Sequence, residues 1–317
     1  MPAIQVPSPA EKWAGQIREV TLGGNGRNTV TVGGETTLPF LQYEGAIPHK
    51  PVVAIEVRDM VPEDWSPVIR KAWGEDMTDP VRWAKKAVEL GADIVAVVLA
   101  SAHPDTKNTG AAEAAELTKR LLEAVDVPLI FYGPEVAEKD NEVLVAVAEA
   151  GSGAGFALGY CEAKNWRTIV ASCIANGHIA IGRAPIEINM QKQLNILMTD
   201  MGLPKDRILM DPTTGALGYG LEYTYTIMER LRLAGLQGDT MAAMPMINTV
   251  GSESWRQKES KAAEGVPAAW GALEDRAELW EAVTAQALLN SGSDILVLRH
   301  PKTVALIKKS IDALMGA

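Results

Sequence analysis

Ile208-Leu209-Met210-Asp211-Pro212-Thr213-Thr214-Gly215-Ala216-Leu217-Gly218-Tyr219-Gly220 is a short apolar run that ends in Asp-Pro. It continues into a loop with three glycines and meets a helical pattern beginning near Leu221. Strand, loop and helix in that order make one βα unit. In barrels and open-sheet α/β proteins the loop beyond the carboxyl end of the strand is where ligands bind. This loop is nearly free of charge and, Tyr219 apart, of bulk, so a large flat ligand can come close to its backbone. It holds no Lys, Cys or His and a single carboxylate, a composition suited to binding rather than to reacting.

The same unit recurs on both sides of that stretch. Apolar runs rich in Val and Ile at 52–59, 93–100, 128–133, 156–160, 178–184, 208–213, 244–250 and 294–300 read as strands covered on both faces. Between them the spacing predicts helices over 80–90, 109–124, 139–150, 164–176, 185–201, 221–235, 273–290 and 301–314. Gly91, Gly151, Gly177, Gly202 and Gly292 stand where helices should end, and Asp79 before Pro80 is an N-cap followed by Pro at the first helical position. Eight strands alternating with eight helices mean a parallel sheet with right-handed crossovers. They favour a TIM (β/α)8 barrel over residues 49–317. Periodicity does not see closure, so an open doubly wound sheet stays compatible with the pattern. Residues 1–48 differ: 17–22 and 29–32 are β-like and joined by Gly23-Gly24-Asn25-Gly26, a short N-terminal β-hairpin extension. Two long loops leave carboxyl ends of strands, 58–79 with Trp65 and Trp73, and 251–271 with Trp255 and Trp270; loops of that length are usually functional.

Composition narrows the function. The chain has 317 residues, 47% hydrophobic and 22% charged, enough for one large domain with a short extension. A net charge of -10 argues against nucleic acid, whose phosphates need a basic face. The longest clean apolar run, 94–100, is far below the ~20 residues of a membrane helix. Residues 1–5 lack the basic start and apolar core of a signal peptide. Two cysteines are too few for a disulfide framework, so the reading is a reducing, cytoplasmic compartment with no membrane.

Residue patterns that carry reaction chemistry are nearly absent from the sequence. No strand carries a Lys for a Schiff base. Asp59, Asp211 and His300 lie at strand ends without ligand spacing, and the plain reading has them capping helices and pairing with Arg58 or Arg299. His49, His103 and His178 read as unpartnered surface or loop residues. Cys161 and Cys173 read as buried inert thiols, since an iron–sulfur cluster needs four thiolates. Gly151-Ser152-Gly153-Ala154-Gly155 precedes a strand and so belongs to the opposite, structural face. Polar groups do project at the carboxyl ends: Arg183, followed by Glu187, Asn189 and Gln191, and then Asn248 and Thr249. With Thr213 and Thr214 they would form a hydrogen-bonding rim suited to an amide-rich or heterocyclic ligand. Equally, Arg183 could be consumed by pairing with Glu56 or Glu187 inside the barrel.

Several long runs carry a family resemblance. They are 29–43 with Val32-Gly33-Gly34-Glu35 and Leu38-Pro39-Phe40, 183–197 with Arg-Ala-Pro-Ile-Glu-Ile-Asn-Met-Gln-Lys-Gln-Leu-Asn-Ile-Leu, 210–230, 236–239, Thr249-Val250-Gly251, 279–284 and 298–301. Over nearly its whole length the chain resembles the small (delta) subunit of the corrinoid iron–sulfur protein of the acetyl-CoA (Wood–Ljungdahl) pathway of carbon fixation. The resemblance implies a TIM barrel in a heterodimer with a larger subunit that carries the [4Fe–4S] cluster and a corrinoid-binding domain. It implies a methyl carrier: the methyl group comes from methyltetrahydrofolate through a methyltetrahydrofolate:corrinoid methyltransferase and goes to acetyl-CoA synthase. The corrinoid (cobalamin) would lie at the interface, covered by this barrel's mouth. Corrin contact is carried onto Thr213, Thr214, Gly215, Gly218, Tyr219 and Gly220, with Arg183, Asn189 and Asn248 beside them. No catalytic residue and no metal ligand is expected in this chain, because a strongly nucleophilic cobalt needs no general base from its cover. Two other readings remain: a stand-alone pterin-dependent TIM-barrel methyltransferase, and a scaffold that only holds its partner.

Overall fold

Eight of the apolar runs pair side by side, all in parallel. The computed structural model describes residues 9–316, so the N-terminal residues read above for a signal peptide lie outside the described residues. The barrel strands are β3 (Val52–Arg58), β4 (Ile94–Val98), β5 (Leu129–Tyr132), β6 (Ala157–Cys161), β7 (Ile179–Arg183), β8 (Ile208–Asp211), β9 (Ile247–Asn248) and β10 (Ile295–Leu298). Their order is β8-β7-β6-β5-β4-β3-β10-β9, and a parallel bridge between Met210 and Met246 joins the two ends. The sheet is therefore a TIM barrel whose narrowest seam lies between β8 and β9. The seventh run, read as 244–250, pairs as a strand only over two residues.

The predicted helices form between the strands: α2 (Pro80–Glu89), α3 (Ala111–Ala124), α4 (Ala137–Ala150), α5 (Trp166–Asn176), α6 (Ile188–Asp200), α7 (Glu222–Leu236), α10 (Leu273–Asn290) and α11 (Pro301–Met315). Asp79 caps α2 by accepting from the N–H groups of Val81 and Arg82, with Pro80 at the first position. The two long loops are not irregular. The first contains α1 (Pro67–Trp73), and the second contains α8 (Val250–Ser254) and α9 (Lys258–Lys261). Their tryptophans drive this: Trp65, Trp73 and Trp255 are buried, and a short helix satisfies the backbone that must be buried with them.

Alternation along each strand sorts the core into two layers. Inward-facing residues such as Ala54, Ala96, Ile130, Ile181, Leu209 and Val297 fill the barrel, and the others pack beneath the helices. The hairpin, β1 (Val20–Leu22) paired antiparallel with β2 (Val30–Val32), contributes Val20, Leu22 and Val32 to the same cluster as the barrel interior. It is a plug in the amino end. Gly155, at φ +62°, accepts from Gly23 N–H at 2.9 Å, and a Cβ there would sit 2.3 Å from the Gly23 carbonyl. The 151–155 segment thus serves the structural face.

Three ionic groups lock this end. Arg232 of α7 is buried and pairs with Glu35 and Asp294, each at 2.9 Å. Asp294 also accepts from Met246 N–H. His178 is a correction to the sequence reading. It does sit in a loop, but fully buried: its Nδ1 accepts from Phe156 N–H, its Nε2 meets the Ala148 carbonyl, and its ring stacks on Phe156. His49 and His103 also have neighbours, Glu19 at 3.2 Å and Asp105 at 3.8 Å. Cys161 and Cys173 are buried free thiols, and burial pushes both well above the usual thiol range.

Candidate functional site

At the carboxyl end, the period-two alternation that puts Ile181, Leu209, Ala54 and Val297 inside the barrel puts Arg183, Asp211, Glu56 and Arg299 in its top layer. The mouth divides into two halves.

In the half formed by β3 and β10 both arginines are paired. Glu56 accepts from Arg299 Nε at 2.8 Å and Nη2 at 2.7 Å, and from Arg58 Nε at 3.1 Å. Trp65 packs against both guanidinium groups, at 4.5 Å from Arg299 and 5.1 Å from Arg58. Burial acts to raise the Glu56 pKa, but the two arginines prevail and hold it below the usual carboxylate range. Arg58 and Arg299 therefore pair with Glu56, not with Asp59, Asp211 or His300 as the sequence suggested. His300 does cap α11, accepting from Lys302 N–H. Asp59 holds the backbone N–H and hydroxyl of Ser101. A hollow of about 220 Å³ opens beside Asp59, Ser101, Thr109 and Lys107, but Asp59, Ser101 and Thr109 satisfy one another there.

The half formed by β5 to β8 is different. Arg183 pairs with Glu135 at 2.7 Å and Glu162 at 2.6 Å, and its guanidinium lies 3.6 Å above the Tyr160 ring. This replaces both expected partners, Glu56 and Glu187; Glu187 instead caps α6 through Asn189 N–H and Met190 N–H. Glu135 and Glu162 are held in turn by Asp140 and Asn165. Asp140 accepts from Glu135 N–H, Asn165 accepts from Glu162 N–H, and the two bond each other at 3.2 Å. Burial pushes Asp140 up to about 6. Tyr132 and Tyr160 pack with ring centroids 4.6 Å apart and fill the throat.

Asp211 closes this half from below. It is fully buried; Oδ1 accepts from Thr213 N–H at 2.8 Å, and Oδ2 has no partner. Burial pushes its pKa up to about 7, against the pull of Arg183 and of the Thr213 N–H. The glycine loop follows. Thr213 and Ala216 sit at φ +66° and +57°, and the adjoining loops add Glu135 at +64° and Ile186 at +49°. A left-handed β-branched residue is costly and persists only when its surroundings hold it. Thr224 of α7 does part of that holding: its hydroxyl accepts from Gly215 N–H and reaches the Thr213 and Gly215 carbonyls.

The residues named from the sequence fall into three positions. Thr213, Gly215, Gly218 and Tyr219 line the accessible side of the loop, with Tyr219 81% exposed. Thr214, Gly220 and Asn248 face inward; Asn248 Nδ2 reaches Thr214 Oγ1 at 3.4 Å, and its Oδ1 is buried without a partner. Arg183 stands beside Asp211 in register, and Asn189 lies exposed on the first turn of α6. The unpartnered Asp211 Oδ2, Thr213 Oγ1 and Asn248 Oδ1 are buried beneath the loop, where bridging waters would link them to a ligand rimmed with amides. Gly218, at φ +85°, holds a backbone conformation that other residues rarely adopt, and a Cβ there would meet Glu259 at 3.5 Å and Trp280 at 3.9 Å. The sequence reading missed Glu135, Glu162, Asp140, Tyr132 and Tyr160. A signal existed for the two glutamates, which stand just beyond the carboxyl ends of strands. Among the described residues no group of three or more His, Cys, Asp or Glu side chains could hold a metal ion. No helix among them is long and apolar enough to cross a membrane.

Residues 19–309 match a family model described as CO dehydrogenase/acetyl-CoA synthase delta subunit. The acetyl-CoA decarbonylase/synthase complex subunit delta of Archaeoglobus fulgidus is 37% identical, covering 96% of this chain and 70% of that protein. The subunit delta of Methanocaldococcus jannaschii is 34% identical, covering 98% of this chain and 76% of that protein. Among solved structures, a dihydropteroate synthase from Xanthomonas albilineans superposes with a TM-score of 0.61 at 14% identity, over 94% of this chain and 99% of that one. A dihydropteroate synthase from Yersinia pestis gives 0.57 at 12%, over 94% and 99%. Likeness at that identity establishes the barrel and nothing about ligands.

Proposed function

The chain belongs to the CO dehydrogenase/acetyl-CoA synthase delta-subunit family, and from that premise we propose that it is the small subunit of a heterodimeric corrinoid methyl carrier. On this reading it works within an acetyl-CoA decarbonylase/synthase complex. Its barrel mouth covers a corrinoid held mainly by a larger subunit, which also carries a [4Fe–4S] cluster. The methyl group enters from methyltetrahydrofolate through a separate methyltransferase and leaves to acetyl-CoA synthase. The complex is cytoplasmic.

The observation that carries this reading is the contrast within the mouth. The throat is filled by Tyr132, Tyr160 and Arg183, yet the loop above it has a left-handed backbone, and buried oxygens of Asp211, Thr213 and Asn248 beneath its surface have no partner. That suits a broad flat ligand resting on the surface and not a small one entering the barrel. The same filling argues against a barrel that binds a methylated pterin by itself. Bound there, the corrinoid supplies the nucleophilic metal. This chain's part is to exclude water, to orient the ring's amide edge through Thr213 and Gly215 with Asn248 supporting from beneath, and to hold protons away from the metal. The expected contacts run through Thr213, Gly215, Gly218 and Tyr219.

Purifying the chain alone and with its larger partner tests this. The lone chain should be colourless, and the pair should show corrinoid and cluster absorption. Calorimetry of the lone chain with methyltetrahydrofolate should give no micromolar binding. Such binding, with methyl turnover, would replace this reading with the pterin-dependent one.

A further inference from the structure

The two halves of the mouth differ in how deeply their carboxylates lie: Glu56 is buried, whereas Glu135 and Glu162 reach solvent. In the closed half two guanidinium groups, Arg58 and Arg299, share the buried carboxylate of Glu56, with Asp64 3.9 Å from Arg58. In the open half Glu135, Glu162 and Asp211 surround the single guanidinium of Arg183. Tyr132 and Tyr160 add no positive charge. With Asp211 protonated or ionised, the open half carries more negative than positive charge. Glu135 and Glu162 keep half or more than a third of their side chains exposed, so their field reaches whatever rests on the loop. A second feature points to a ligand at the same place: the fully buried Asp211 Oδ2 has no partner.

We propose that the open half of the mouth sets a charge preference on the group it covers, favouring a cationic ligand over its neutral form through Glu135 and Glu162. This rests on the corrinoid reading above. One-electron reduction of a corrin–cobalt(II) core, a monocation, adds one electron and no proton and gives a neutral species. A neighbouring negative field opposes that step by Coulomb attraction to the cation. Glu135 and Glu162 therefore hold the couple at a lower potential, which makes the reduced metal a stronger donor toward an incoming alkyl group. Both carboxylates are fixed for this. Asp140 holds the left-handed Glu135 backbone, and Asn165 holds that of Glu162.

A mediated anaerobic redox titration of the assembled heterodimer, followed by corrinoid absorption with titanium(III) citrate as reductant, tests the proposal. Glu135→Gln and Glu162→Gln keep hydrogen-bond acceptors for Arg183 and remove one charge each. Each should raise the reduction equilibrium constant about threefold, which is about 30 mV at 59 mV per tenfold for one electron. The shift should shrink as ionic strength rises. Glu149→Gln, the same charge change at the far end of α4, should leave the midpoint in place. Circular dichroism of each variant checks the fold. If both mouth variants leave the midpoint unmoved while Tyr219→Ala still loosens the corrinoid, the charge preference is wrong and the lid reading survives. If Tyr219→Ala also changes neither retention nor spectrum, both fail together.

Discussion

The two ends of this barrel are closed in different ways. At the amino end the hairpin fills the opening with Val20, Leu22 and Val32, and the Arg232–Glu35–Asp294 group, Arg232 Nε aside, finds its partners within the protein. At the carboxyl end the backbone is left-handed at Glu135, Ile186, Thr213 and Ala216, and Asp211, Thr213 and Asn248 each leave a polar atom unmatched. One end lowers the free energy of the fold. The other keeps unmatched oxygens beneath its loop, which the fold alone does not explain, although left-handed residues occur at both ends, with Asn25 and Phe40 at the first. TIM-barrel proteins divide their ends this way, with stability below and chemistry above.

Breaking the amino end should therefore have the largest effect on stability. Arg232→Met leaves Glu35 and Asp294 buried without a cation and should cost about 3–5 kcal/mol in denaturant unfolding. A loss no greater than that of a surface substitution would collapse the comparison. Leu22→Ala opens a cavity between hairpin and barrel and should cost about 2–4 kcal/mol. If it is silent, the hairpin is an ornament and not a plug.

The contrast between the ends was partly legible in the sequence. The alternation of Val/Ile runs with helical stretches gave strands and helices within a few residues, because both faces of a parallel strand are buried and the helix stops are glycines. The glycine loop announced itself by composition. The residues beneath it did not. Arg183 is bound by carboxylates 21 and 48 positions away, and only the barrel brings them together. A lone histidine such as His178 carries no mark of burial, since Phe156 and Ala148 are fixed beside it by packing. Likewise the hairpin pattern is local, but its role as a plug depends on where the barrel's open end lies.

A subtler effect should come from the mouth itself. Asp211 is a buried carboxyl whose pKa is raised to about 7, so the folded protein holds its proton more tightly than the unfolded chain does. Its stabilising contribution is full below about pH 4, falls as pH rises, and is gone above about 7. Asp211→Asn cannot lose a proton. Its stability relative to the parent should rise between pH 5 and pH 8, by roughly 1–3 kcal/mol. Urea unfolding of both proteins across that range measures the difference. A flat difference would mean that Arg183 keeps Asp211 ionised throughout, and that the open half is paired as fully as the closed one.

Tyr219→Ala should have the smallest effect on the fold and a large one on function. The ring is 81% exposed on a loop held from below by Thr224 and Asp211. Removing it deletes almost no buried surface, and the change in unfolding free energy should stay within about 0.5 kcal/mol. Yet if the loop is a platform for a flat macrocycle, that exposed ring is an apolar contact the loop offers it, and losing it should speed corrinoid release from the heterodimer severalfold. Measured together, the two quantities separate the ends of the barrel cleanly. A residue of the amino end should move stability and leave retention alone. Tyr219 should do the reverse, and a variant that moved both would show that the loop is a structural element after all.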